Sequence, residues 1–172
     1  MKMIDVVDEN NVMLNEQLEY KTALAENRWY REVAIIIMSN TERLLLLKET
    51  SPKESNLWTI KTNYVEAGEG PIFAAIRVVN KEFKIKVSNA DLKLLKVIKD
   101  ANTNSFKYYY LLKGDYKLSD FENDESIKAR FMSFDDIMEK IELEEPVFEK
   151  FLERDFVELI NAYKKRLIEN YD

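Results

Sequence analysis

The residues with the most chemical potential are gathered in one stretch of the chain. Glu66 and Glu69 precede Arg77, and Lys81 and Glu82 follow it. Positions 78, 81 and 82 would share one face of a helix, because three- and four-residue spacings bring side chains together. Three carboxylates there would make a hard-oxygen site suited to magnesium or manganese. This chain places Val78, Lys81 and Glu82 at those positions. A lysine in a cation site turns an attraction of several kcal/mol at about 4 Å and an effective dielectric near 20 into repulsion. The residues therefore predict weak or absent metal binding on this helix, unless Glu66, Glu69 or the Asp124–Glu125 pair is recruited. A second grouping, Arg28-Trp29-Tyr30-Arg31, has two readings. Its rings and guanidinium forks can form a ligand shelf, stacking on a base and gripping phosphate. Alternatively, Trp29 and Tyr30 cover the core edge and the arginines are solvated.

Composition removes whole classes of chemistry. The chain has no cysteine and no histidine. Thiol nucleophiles, disulfides, cysteine–zinc sites and any triad that needs a histidine base are excluded. A net charge of −6 argues against a nucleic-acid backbone as the main partner. The acidic alternation of Met1–Glu9 is not a signal peptide, and the longest apolar runs are far too short to span a bilayer. A soluble cytoplasmic protein with no membrane partner is expected. The 172 residues suit one domain with a proper core plus one appended element.

The element that must position the first grouping spans residues 62–85. Gly68 and Gly70, two of three glycines in the chain, stand immediately before Pro71. That order predicts a tight loop feeding a helix, since glycine permits positive φ and proline suits the first helical position. Ile72, Ile76, Val79 and Phe83 then recur at steps of four, three and four. They predict one apolar stripe, with Arg77, Val78, Lys81 and Glu82 on the other face.

This stretch resembles the Nudix box, Gly-x5-Glu-x7-Arg-Glu-U-x-Glu-Glu-x-Gly-U, with U a bulky aliphatic. Aligned on Val65-Glu66-Ala67-Gly68-Glu69, the chain keeps Glu69, Arg77, Val79, Glu82 and Ile85 and departs at Asn63, Val78, Lys81 and Lys84. The resemblance implies that Glu69 pairs with Arg77 to brace loop against helix, while helix glutamates hold divalent cations against a diphosphate. Glu69, Arg77 and Glu82 are then the catalytic candidates, and Glu82 with an acidic residue near Glu125 the remaining metal ligands. Glu122, Asp124 and Glu125 are alternatively a solvated acidic loop. The opening hairpin is similar to the isopentenyl-diphosphate-isomerase-like Nudix subgroup, although the isomerase activity needs a cysteine and a histidine-rich site that this chain lacks.

The remaining elements follow the same family order. Short strands are predicted at Met3–Val7 and Val12–Leu14, a short helix or loop over 15–27, and a hairpin of Val33–Met38 with Leu44–Leu47. A charged loop over 48–56 leads to a short strand at Leu57–Ile60. After the box come a hairpin of Leu92–Ile98 with Phe106–Leu112, an acidic loop over Lys117–Glu125 and a strand at Ile127–Met132. Ser133 caps a helix reaching about Ile141. Phe106, Tyr108, Tyr109 and Tyr110 put aromatics on both faces of their strand, one for the core and the other for sheet covering or a pocket wall.

From Pro146 onward, Phe148, Phe151, Leu152, Phe156, Leu159, Ile160, Tyr163 and Leu167 recur at helical spacing. Such a stripe must be covered, either by its own domain or in a homodimer seam or a partner groove. The expected fold is α/β (α+β): a Nudix-type α/β/α sandwich with a mixed sheet over 1–142, and a helical extension over 143–172. Two functions are weighed. One is a magnesium- or manganese-dependent hydrolase of a nucleoside diphosphate linked to another moiety, with weak or no turnover. The other is a catalytically silent module that binds a nucleotide-like diphosphate or another protein, using Lys81 and nearby arginines without metal.

Overall fold

The computed structural model describes residues 2–50, 56–122 and 124–169. The strands and helices are β1 (Met3–Val7), β2 (Met13–Glu19), α1 (Tyr20–Ala25), β3 (Tyr30–Ser39), β4 (Arg43–Glu49), β5 (Lys61–Tyr64), α2 (Pro71–Phe83), β6 (Lys93–Asp100), β7 (Ser105–Gly114), β8 (Ile127–Ser133), α3 (Phe134–Glu142) and α4 (Lys150–Glu169). β1 and β2 form a two-stranded sheet, and the other strands run in the order β6-β7-β3-β4-β8 with β5 paired to β3. The architecture is α+β, with a mixed sheet, helices and a C-terminal helix, as the sequence predicts. Two compact units divide the chain, Met1–Ile35 with Thr62–Tyr110 and Ile36–Lys61 with Leu111–Asp172. β3 and β7 are continuous strands that contribute to both.

In the first unit, β1 and β2 pair antiparallel from Met3↔Glu19 to Val7↔Met13 with a register shift between Asp5 and Val7. Asn15 lies inside β2 at φ 55. A residue in the left-handed region is a common device for absorbing extra residues into a strand. β2 reaches Glu19 across this irregularity, whereas the sequence predicts a strand over Val12–Leu14 and a short helix or loop from residue 15. Ile4, Ala23 and Tyr30 are buried together, with Leu18, Tyr20 and Tyr64 packed against them. Tyr20 stacks on Tyr64 at 4.2 Å between ring centroids.

In the second unit, β4 and β8 pair antiparallel from Arg43↔Ser133 to Glu49↔Ile127. Ser133 Oγ accepts the Asp136 N–H at 3.2 Å, so the predicted N-cap is present. The aromatic stripe of α4 is buried inside this unit: Phe148, Leu152, Phe156, Leu159, Ile160 and Tyr163 are all nearly inaccessible to solvent. Lys113 donates to the Tyr163 hydroxyl at 3.0 Å, and that hydroxyl donates to Glu42 at 2.7 Å. Two expectations are revised here. Leu57–Ile60 is not a strand but makes isolated bridges, Leu47↔Thr59 and Trp58↔Phe148. The acidic loop contains a 3-10 turn, Leu118–Phe121, because Phe121 is buried. Part of the charged loop predicted over 48–56 lies outside the described residues.

Candidate functional site

The loop before α2 is built from backbone requirements. Gly68 has φ 82, a conformation glycine adopts without the Cβ clash that other residues meet. Gly70 caps α2 in an extended conformation and Pro71 opens the helix. The Glu69 N–H reaches back to the Glu66 carbonyl at 3.1 Å, closing the turn. The Glu69 carboxylate accepts the Glu66 N–H at 3.0 Å through one of its oxygens.

Arg77 crosses from the helix to this loop. Its guanidinium donates to Glu69 Oε1 at 2.7 Å and Oε2 at 3.3 Å, and to the Tyr64 carbonyl at 3.2 Å. Glu66 Oε1 lies 3.8 Å from the same guanidinium. The geometry is that of a bidentate arginine–carboxylate pair. The Glu69 hydrogen bond raises the Arg77 pKa above its ordinary value. The helix and the loop that precedes it are thereby tied at both ends of one carboxylate.

The helix buries a different arc from the one predicted. Ala74, Ala75, Val78 and Val79 are the buried residues, while Ile72, Ile76 and Phe83 are only half-buried. Val78 therefore belongs to the core, at 1% exposure, rather than to an outer face. Small alanines permit close approach of the helix, a feature that a stripe of bulky residues does not report. Lys81 and Glu82 continue along the helix where it emerges, and both are exposed. Lys84 ends α2 at φ 58, in the position where the box pattern has its second glycine. A non-glycine residue in that region costs about 1–2 kcal/mol. Lys84→Gly is accordingly expected to raise unfolding free energy by about 0.5–1 kcal/mol in urea titrations.

The proposed shelf residues all have protein partners. Arg28 forms a bidentate pair with Glu16 and lies 3.8 Å from Glu26. Arg28 holds the Glu16 carboxyl below the usual carboxylate range. Arg31 donates to the Asn11 side chain at 2.7 Å and to its carbonyl at 2.8 Å, and Asn11 in turn donates to the Tyr108 hydroxyl at 2.7 Å. Trp29 packs on Phe106 at 5.4 Å, with the Lys99 ammonium 5.0 Å from its ring centre.

Glu125 belongs to the second unit, where its carbonyl accepts the Thr50 hydroxyl at 2.9 Å. The neighbouring Asp124 carboxylate accepts from Ser126, whose hydroxyl and backbone N–H hold its pKa low. Among the described residues no group of three or more histidine, cysteine, aspartate or glutamate side chains is placed to hold a metal ion. Asp5 was not singled out by sequence reasoning, yet its carboxylate accepts the Gly68 N–H at 2.8 Å.

A mixed sheet with a glycine loop feeding a helix, clamped by an arginine–glutamate fork, defines a recognisable class of fold. The model of the NUDIX domain matches residues 29–154, and the chain belongs to that family. The solved structure of DR0079 from Deinococcus radiodurans is similar, with a TM-score of 0.69 and 17% identity over 94% of this chain and 99% of that one. A MutT structure from work on Aliivibrio salmonicida and Vibrio cholerae gives 0.55 and 16%, covering 77% of this chain and 97% of that one. A NUDIX hydrolase from Nitrosomonas europaea gives 0.54 and 18%, covering 80% and 89%. At these identities the structural likeness establishes the fold alone. The search of curated proteins found no match. No helix among the described residues is long and apolar enough to cross a membrane.

Proposed function

We propose that this protein handles a nucleotide-like diphosphate on the Nudix scaffold, and that its hydrolysis of nucleoside diphosphates linked to another moiety is weak or absent. The fold supports the substrate class, because Nudix proteins act on diphosphates of this kind and generally use divalent metals. The observation that carries the reading is the contrast along α2. The Glu69–Arg77 fork is complete, while the helix face that would bear metal ligands carries buried Val78 and exposed Lys81 beside Glu82.

The chemistry of that donor set fits a divalent cation poorly. Val78 offers no ligand, Lys81 repels a cation, and Glu69 already spends both oxygens on Arg77. Such a metal, when bound in this family, neutralises the diphosphate and activates water. In this chain Glu82 is the carboxylate of that helix face that remains to hold it. The alternative is a silent module that grips phosphate with Lys81, since an exposed ammonium at the end of α2 can meet a phosphate without metal. In that reading, Arg28, Trp29 and Arg31 would have to leave their present partners to contact a ligand. The opening hairpin also leads us to place the chain near the isopentenyl-diphosphate-isomerase-like members of the family.

Phosphate release from a panel of nucleoside diphosphate derivatives, with magnesium or manganese, tests the proposal. The native protein should turn over slowly or not at all, and Lys81→Glu, at an exposed position beside Glu82, should raise any rate by about 100-fold, comparable to the gain from a placed catalytic group. Brisk magnesium-dependent turnover by the native chain, lost in Glu82→Gln, would overturn it.

A further inference from the structure

The N-terminal strand meets the box loop at three points, all within the first unit. Asp5 Oδ2 accepts the Gly68 N–H at 2.8 Å, Ala67 N–H donates to the Met3 carbonyl at 2.8 Å, and Lys2 Nζ lies 3.4 Å from Glu66 Oε1. The other Asp5 oxygen accepts from Gln17 Nε2 at 3.2 Å, so β2 steadies the same carboxylate. Gly68 is the residue at positive φ, and a Cβ built on it would meet nothing within 4 Å. Crowding therefore does not hold the turn in place. Its amide is held by a carboxylate from a strand more than sixty residues earlier.

We propose that Asp5 is a positioning residue for the box loop: through the Gly68 amide it sets where the Glu69 carboxylate meets Arg77. The chain of contacts is direct. Asp5 fixes Gly68, whose next residue supplies the Glu69 carboxylate, and Glu69 receives both donors of the Arg77 fork. A charged acceptor makes a stronger bond to a backbone N–H than a neutral one. Ala67 and Lys2 add two further attachments from β1 and the residue before it, so the hairpin acts as the outer wall of the loop. In its consequence for ligand, the inference rests on the diphosphate reading; in its consequence for Glu69 and Arg77, it does not.

The test compares Asp5→Ala and Asp5→Asn with the native chain. Amide exchange at Ala67 and Gly68 and the Arg77 Nε–H resonance are followed by NMR, beside thermal melting. Calorimetric titration with the α,β-methylene analogue of ADP and magnesium gives the ligand readout. In Asp5→Ala the two amides should exchange about tenfold faster and the Arg77 Nε–H should lose its protection, as expected when a local opening becomes easier. The melting temperature should stay within about 2 °C. Asp5→Asn, which keeps an acceptor for Gly68, should restore most of the protection. If the native protein binds the analogue, its Kd should rise about tenfold in Asp5→Ala, again as local opening.

Unchanged exchange and an unchanged Arg77 signal would overturn the proposal. So would a general loss of stability that Asp5→Asn fails to restore, since that marks a structural staple alone. Should the native chain bind no analogue while the NMR changes occur, the diphosphate reading fails and the positioning of Glu69 and Arg77 by Asp5 stands.

Discussion

Replacing Lys107 with methionine is expected to destabilise the protein by about 3–5 kcal/mol at neutral pH, the cost of leaving a buried charge without its partner. Lys107 lies between two carboxylates, with its ammonium 2.8 Å from Asp100 Oδ2 and 3.5 Å from Glu32 Oε1. The side chains of Lys107 and Asp100 are 4% exposed and that of Glu32 is 12% exposed. Ser105 adds a hydroxyl bond to Glu32 at 3.3 Å. Methionine conserves the length of the stem and removes only the charge, so two anions would face each other in a dry site.

The loss should depend on pH in a definite direction. Burial pushes the Glu32 carboxyl above the usual carboxylate range, against the pull of Lys107 and its hydrogen bonds. A folded-state pKa above the unfolded value means that the native state binds more protons between the two. Stability contributed through Glu32 therefore rises as pH falls from its folded pKa toward its unfolded one. Without Lys107 the folded value moves higher still and the window widens upward. Urea unfolding between pH 5 and pH 8 should show most of the deficit at the alkaline end, with partial recovery on acidification. A deficit equal at all these pH values would show that lost packing, rather than uncompensated charge, is responsible.

Phe156→Ala should be comparably severe, at about 3–5 kcal/mol, from lost burial plus the cavity left behind. Phe156 has no exposed surface and meets Phe148 edge-on at 5.3 Å between centroids. Phe148 in turn is held by the bridge to Trp58, whose ring lies 5.0 Å from the Lys48 ammonium. The cavity would open inside the second unit, beneath α4, so the expected result is a lower urea midpoint with an unchanged slope. Were α4 instead an appendage covered only by another copy of the chain, the truncation would alter association and leave the monomer's midpoint within about 0.5 kcal/mol of native.

Much of the fold was legible in local chemistry. The glycine pair before Pro71, the alternation at Met3–Val7, the β6–β7 hairpin and the Ser133 cap all depend on residues a few positions apart, which is the range over which turns, caps and periodicity act. The Glu69–Arg77 fork was legible only through the family pattern, and its geometry agrees with that expectation. The burial of Val78 was not legible, because helix spacing places a residue on a face without saying which face the core covers. The length of β2 was obscured by its polar composition, since backbone pairing with β1 does not require apolar side chains on both faces.

What the sequence determined by itself was an inventory: no cysteine or histidine chemistry, a glutamate and an arginine eight residues apart, and a valine, a lysine and a glutamate at 78, 81 and 82. Tertiary structure decided the partners. It gave Arg28 to Glu16, Arg31 to Asn11, the α4 stripe to its own unit, and Gly68 to Asp5. Those pairings join residues far apart along the chain, and only the closure of strands and helices on one another brings such groups within the few ångströms over which hydrogen bonds and packing act.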